Sequence, residues 1–159
     1  MPLLLRTVRE HRWYRSEAAP WLETGDVPAD PLGDLATSQN RLSVWEVAED
    51  RSNVERIVRA VAIGREKIAS MGYVLFDSEL LPSAGIRTEA KSGSTADVAA
   101  NAWHRDLVEL SGGKLVMLTR MILQSGESGT VLEKRLRELV EDGIRQRQLP
   151  EGLRLKLQS

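Results

Sequence analysis

Two short apolar runs, RLSVWEV at 41–47 and YVLF at 73–76, flank one amphipathic stretch, and this spacing limits the possible folds more than any other feature of the chain. RLSVWEV places Leu42 and Val44 opposite Ser43, Trp45 and Val47, a β-branched and aromatic mixture that suits a strand buried on both faces. YVLF is too short and too β-rich for a helix. Between them, Ser52 and Glu55 have capping-box spacing, and Val54, Ile57, Val58, Val61 and Ile68 recur at intervals of three and four. A helix is therefore expected from Ser52, with Gly72 as its stop. Strand, helix and strand give a βαβ outline, whose crossover is right-handed if the strands are parallel neighbours.

The remaining segments read as follows. IRTEAK, at 86–91, predicts a weak third strand. Thr95 and Asp97 predict the start of a helix through AANAWHRDLVEL, with Ala99, Trp103, Leu107 and Leu110 sharing a face. Gly112 and Gly113 interrupt it, since adjacent glycines cost about 1–2 kcal/mol of helix propensity together, and KLVMLTRMILQ resumes as an apolar helix. Thr130 and Glu133 repeat the capping-box spacing ahead of Leu132, Leu136, Leu139, Val140 and Ile144. LRLKL, at 153–157, alternates as a terminal strand, a short helix being the alternative. The expected fold is α+β: a small sheet of three or four strands covered by the crossover helix, with a mostly helical C-terminal half.

One globular domain over 1–159 is expected, with a head and strap at 1–40, the βαβ-like core at 41–91 and helices at 95–149. Aromatics make up only 4% of the chain, so Leu, Val, Ile and Ala must fill the core around Phe76 and the four tryptophans. The absence of Cys excludes disulfides and thiolate chemistry, and fits a cytoplasmic location. The opening MPLLLRTVRE carries three successive leucines before Arg6, too few for a signal-peptide core or a membrane span.

A net charge of −1 gives the whole molecule no general attraction to nucleic acid or anionic membrane. The distribution is uneven. Arg6, Arg9, Arg12 and Arg15 recur around His11, Trp13 and Tyr14, whereas 17–40 contains Glu23, Asp26, Asp30 and Asp34 and no Lys or Arg. The strap PWLETGDVPADPLG is broken by prolines and glycines, and Trp21 and Leu22 are expected to pin it to the body. Arg6, Arg9, Arg12, Trp13 and Arg15 form a candidate binding segment, in which guanidinium groups meet phosphates while rings stack on bases. The competing expectation is that the rings pack on the body and the arginines pair with the acidic strap.

In GIRTEAKSGST, Glu89 stands two residues before Lys91, with Asp77 upstream at the end of YVLFD. Carboxylate, spacer and Glu-x-Lys is the arrangement used by PD-(D/E)xK nucleases, in which Asp77 and Glu89 would hold Mg²⁺ and Lys91 would activate water. Chance alone supplies about half an occurrence of Glu-x-Lys in a chain of this composition, and the flanks are polar rather than buried strand. Asp77 with Glu79 is a second carboxylate pair, more simply read as a soluble strand end. His104 and Asp106 do not face each other if their segment is helical, so they form no dyad. SGGKL lacks the Ser or Thr that a phosphate loop places after its Lys, and neither GxGxxG nor GxSxG occurs.

The sequence thus favours a non-enzymatic protein-interaction or regulatory protein without a cofactor, whose partner is another protein and not a membrane, self-association being compatible. The alternatives are a Mg²⁺-dependent nuclease using Asp77, Glu89 and Lys91, and nucleic-acid binding through the Arg-rich head.

Overall fold

A computed structural model describes residues 2–9, 13 and 20–159. The chain forms β1 (Leu3–Val8), α1 (Ala29–Gly33), β2 (Leu42–Val47), α2 (Val54–Ala62), β3 (Met71–Asp77), β4 (Arg87–Ala90), β5 (His104–Val108), α3 (Gly112–Ser125), β6 (Glu127–Val131), α4 (Glu133–Arg145) and α5 (Arg154–Leu157). The six strands make one open sheet in the order β4-β5-β2-β1-β3-β6, and every neighbouring pair is antiparallel. This corrects the expected sheet of three or four strands with a helical C-terminal half. β2 and β3 are the two strands expected, but β1 lies between them, so no adjacent parallel pair exists.

β1 explains the difference. Its consecutive leucines serve both faces: Leu4 and Val8 enter one apolar cluster and Leu5 the other. A strand buried on both sides reads as a continuous apolar run, and such a strand belongs at the centre of a sheet. On the first face, Leu5, Trp45 and Leu75 pack under Ile57 and Val58 of α2 and Leu136 and Val140 of α4. On the second face, Leu4, Val44, Phe76 and Leu107 pack with Leu35 and with Leu118 and Ile122 of α3.

Other boundaries shift for local reasons. α2 begins after Asn53, not with a Ser52 cap: the Asn53 side chain accepts from the Ala48 N–H at 2.7 Å and donates to the Glu46 carbonyl, fixing the turn out of β2. It ends at Ala62, well before Gly72, which sits inside β3. AANAWHRDLVEL is not a helix but a 3₁₀ turn, Ala100–Trp103, followed by β5. Gly112 and Gly113 fall in the first turn of α3, where the Ser111 side chain accepts from the Lys114 N–H. Thr130 belongs to β6, so it caps nothing. The Glu133 N–H donates instead to Ser70 Oγ at 2.8 Å. LRLKL is a 3₁₀ turn running into α5, held by Lys156 Nζ, which donates to the carbonyls of Ile63 and Arg65.

The strap is pinned by Val27, Pro31 and Leu35, all buried, while Trp21 is 68% exposed and so does not serve as the expected anchor. Leu22 lines a cleft against Arg120 and Leu123 of α3, and Arg120 donates to the Gly25 carbonyl. Among the described residues no helix is long and apolar enough to cross a membrane.

Candidate functional site

The two helices over the first face cover its β1, β3 and β6 side. Toward β4 and β5 the same face turns polar, because antiparallel partners share a side: Glu89 sits opposite Asp106, and Asp106 opposite Ser43. His104 lies two residues from Asp106 on β5 and therefore on the same face, opposite Trp45. A helical reading of this segment separates the two; the strand brings them together.

The loop after β4 completes the site. Asn101 organises it: its carbonyl accepts from the Gly93 N–H at 2.9 Å, and its side chain accepts from the N–H and hydroxyl of Thr95. Gly93 lies so close to the indole of Trp45 that a Cβ there would meet Trp45 and Asn101 atoms at 2.9 Å. Only glycine lets this backbone close over the ring. Ser92, Gly93 and Ser94 then form one wall of a cleft of about 410 Å³, with Arg41, Ser43, His104 and Asp106 opposite.

Asp106 is the centre of the cleft. Its side chain is 6% exposed, yet among the described residues it receives a single hydrogen bond, from Arg41 Nη1 at 3.3 Å. Lys91 Nζ and His104 Nε2 each stand 3.8 Å from it, beyond hydrogen-bond length. Arg41 also approaches Glu89 at 3.6 Å. His104 is fixed by the Lys91 carbonyl, 2.8 Å from Nδ1, and by an edge contact with Trp45 at 5.0 Å between centroids. A carbonyl only accepts, so Nδ1 carries the proton and Nε2 is left toward Asp106.

Three residues further along the same loop lies a different cluster. Asp97, fully buried, accepts from Arg56 at 2.7 and 2.9 Å, from Arg59 at 2.9 Å and from the Ala100 N–H at 3.2 Å. Burial alone pushes the Asp97 carboxyl up, but the hydrogen bonds from Arg56, Arg59 and Ala100 outweigh it and hold the group below its ordinary range. Arg59 also donates to the Leu139 carbonyl and to Gln148, so Asp97 bolts the loop to α2 and α4.

The residues singled out in the sequence fall in three places. Glu89 and Lys91 border the cleft. Asp77 is on β3, four strand spacings from β4, roughly 19 Å away at the usual separation. Its carboxylate accepts from the Glu79 N–H at 2.9 Å, and nothing in this arrangement brings it to an ion shared with Glu89. Among the described residues no group of three or more His, Asp or Glu side chains is placed to hold a metal ion.

Arg6 is turned inward, donating to the carbonyls of Ser43 at 3.0 Å and Asp34 at 3.4 Å; burial lowers its pKa, and the Asp34 charge partly offsets this. The Asp34 carboxylate accepts from the Trp13 indole N–H at 3.0 Å and from the Arg9 backbone N–H at 3.1 Å. Arg12 and Arg15 lie outside the described residues.

Arg41 was not singled out in the sequence, and His104 with Asp106 was set aside on a helical reading. The available signal was the alternation His104, Asp106, Val108 against Arg105 and Leu107, matched by Ser43 across the ladder. No protein-family model matches the chain, and neither a curated protein nor a solved structure resembles it significantly.

Proposed function

We propose that this chain is a non-enzymatic regulatory protein that takes up a small polar ligand in the cleft between β2, β4 and β5. One observation carries the reading: Asp106 is nearly shut away from solvent, yet among the described residues it has one hydrogen bond where Asp97 has four. A carboxylate has room for about four such bonds, and buried polar groups are ordinarily satisfied. The spare acceptor capacity of Asp106 faces the cleft, beside a Lys91 ammonium that makes no hydrogen bond among the described residues.

Binding is favoured over catalysis because no hydrogen bond joins a cleft serine to His104, so no hydroxyl is prepared as a nucleophile. A regulatory role is supported by the loop itself. Residues that line the cleft, Lys91 to Ser94, continue directly to Asp97 and its bolt into α2 and α4. Ligand-induced movement of the loop would reach those helices, which makes them the surface for a protein partner.

The test is a ¹⁵N-detected titration of the protein with a library of small polar metabolites, repeated with Arg41→Gln. A ligand is expected to shift the amides of 91–94 and 104–106 in the parent protein and to bind the variant at least about tenfold more weakly. If no library member shifts those amides, or if the variant binds as well as the parent, the cleft is not a ligand site.

A further inference from the structure

Resting on the reading of the cleft as a ligand site, we infer that its ligand is a zwitterion with adjacent opposite charges, namely a free α-amino acid. Donors and acceptor in the cleft are interleaved at short range: Arg41 and Lys91 stand 3.3 and 3.8 Å from the same Asp106 oxygen. A purely anionic ligand drawn to the two cations must lie against the Asp106 carboxylate. A purely cationic one drawn to Asp106 must lie against Arg41 and Lys91. Both arrangements place like charges together in a partly desolvated site, where repulsion is strong.

An α-amino acid avoids both. Its ammonium and carboxylate are separated by a single carbon, the same scale as the ion pairs already in the cleft. The ammonium supplies donors to Asp106 Oδ1, which makes no hydrogen bond among the described residues and has His104 Nε2 at 3.8 Å as its ion-pair contact. The carboxylate takes the remaining donors of Arg41, which has five and gives one to Asp106, and those of Lys91.

The walls narrow the class further. A nucleobase also combines donors and acceptors, but bases are normally held by stacking on an aromatic face. Here Trp45 is 5% exposed, covered by Gly93 and by the edge of His104, so no ring face is offered. Ser38, Gln39, Ser43 and Ser94 surround the charged centre instead. A volume of about 410 Å³ admits an amino acid with a polar side chain.

The experiment titrates the intact protein with each of the twenty common L-amino acids, and with inorganic phosphate and guanosine, following the amides of 91–94 and 104–106. For the best-binding amino acid, the amine lacking its carboxylate and the acid lacking its ammonium are titrated next. At least one amino acid is expected to bind, and removal of either charge is expected to weaken it tenfold or more. Lys91→Gln, at a side chain 61% exposed, is expected to weaken the amino acid severalfold while strengthening the amine, which no longer meets a like charge; a merely structural lysine would not split the two ligands in this way. Binding of phosphate or guanosine in the cleft without any amino acid overturns the zwitterion inference and leaves the ligand site standing. So does an amino acid whose truncated forms bind equally well. If none of these probes shifts these amides while a member of the metabolite library does, the inference falls and the ligand site stands; if neither set does, both fall.

Discussion

Asp97 and Asp106 belong to neighbouring stretches of the chain, and both side chains are almost closed to solvent, at 0% and 6% exposure. Around Asp97 the contacts are 2.7–3.2 Å and involve two guanidinium groups and a backbone N–H. Around Asp106 they are 3.3–3.8 Å, and among the described residues one of them is a hydrogen bond. The cations differ as well: Arg59 and Arg56 are 4% and 26% exposed, whereas the Arg41 and Lys91 side chains are 37% and 61% exposed. A carboxylate enclosed by short bonds is a finished piece of framework. One left with long contacts at the edge of a cleft has bonding capacity for something else.

Three substitutions set the two clusters against each other. Asp97→Ala leaves the Arg59 guanidinium buried without its counter-charge, and is expected to destabilise the fold by about 3–5 kcal/mol in urea titration. The pH dependence follows from the same group. Its folded-state pKa is lowered, so its stabilising contribution is fully present above the unfolded carboxyl value of about 3.9 and is lost as pH falls through the folded pKa. The variant should therefore show a flatter acid limb than the parent. A steep limb in both would place acid sensitivity elsewhere.

Gly93→Ala comes next. The added methyl meets Trp45 and Asn101 at 2.9 Å, so the loop must move off the ring. A loss of about 1–3 kcal/mol is expected, with shifted amides from Lys91 to Thr95. An unchanged loop spectrum would show that the closure over Trp45 has slack.

Asp106→Asn should have the smallest effect on folding, under about 1 kcal/mol, because its cationic partners remain in contact with water. A loss comparable to that of Asp97→Ala would erase the distinction between the clusters and make Asp106 framework too.

β2, β3, α2, α3 and α4 were legible in the sequence because each carries its own periodicity or a buried apolar run, whereas β4, mostly exposed, was legible only as a weak strand. The errors share one physical origin, which is that a side chain's environment depends on strands distant in sequence. In His104 to Val108, the side with His104 and Asp106 ends in Val108 and the side with Leu107 begins with Arg105, so the period of two is muted. Leu107 and Leu110 then combine with Trp103 to imitate a helical face. In β6, ESGTV reads as a turn because Gly129 has no side chain to pack; the Tyr73 ring of β3 lies over that position, where an added Cβ would fall 2.4 Å from the Tyr73 hydroxyl. Glu89 and Lys91 were drawn from a motif that pointed to Asp77. The ladder instead gives them Arg41, Asp106 and His104 as neighbours, a grouping assembled from β4, β5, the residue before β2 and the loop after β4.

The placement of β1 also governs how the protein is made. It is the first of the six strands to be synthesised, yet it occupies an interior position and pairs with both β2 and β3. Translation at about 5–20 residues per second puts roughly 3–14 s between completion of Val8 and of Asp77. For that interval LLLRTV has at least one bare edge and no finished core on either side. The nascent chain is accordingly most prone to aggregation, and most in need of a chaperone, before β3 has emerged.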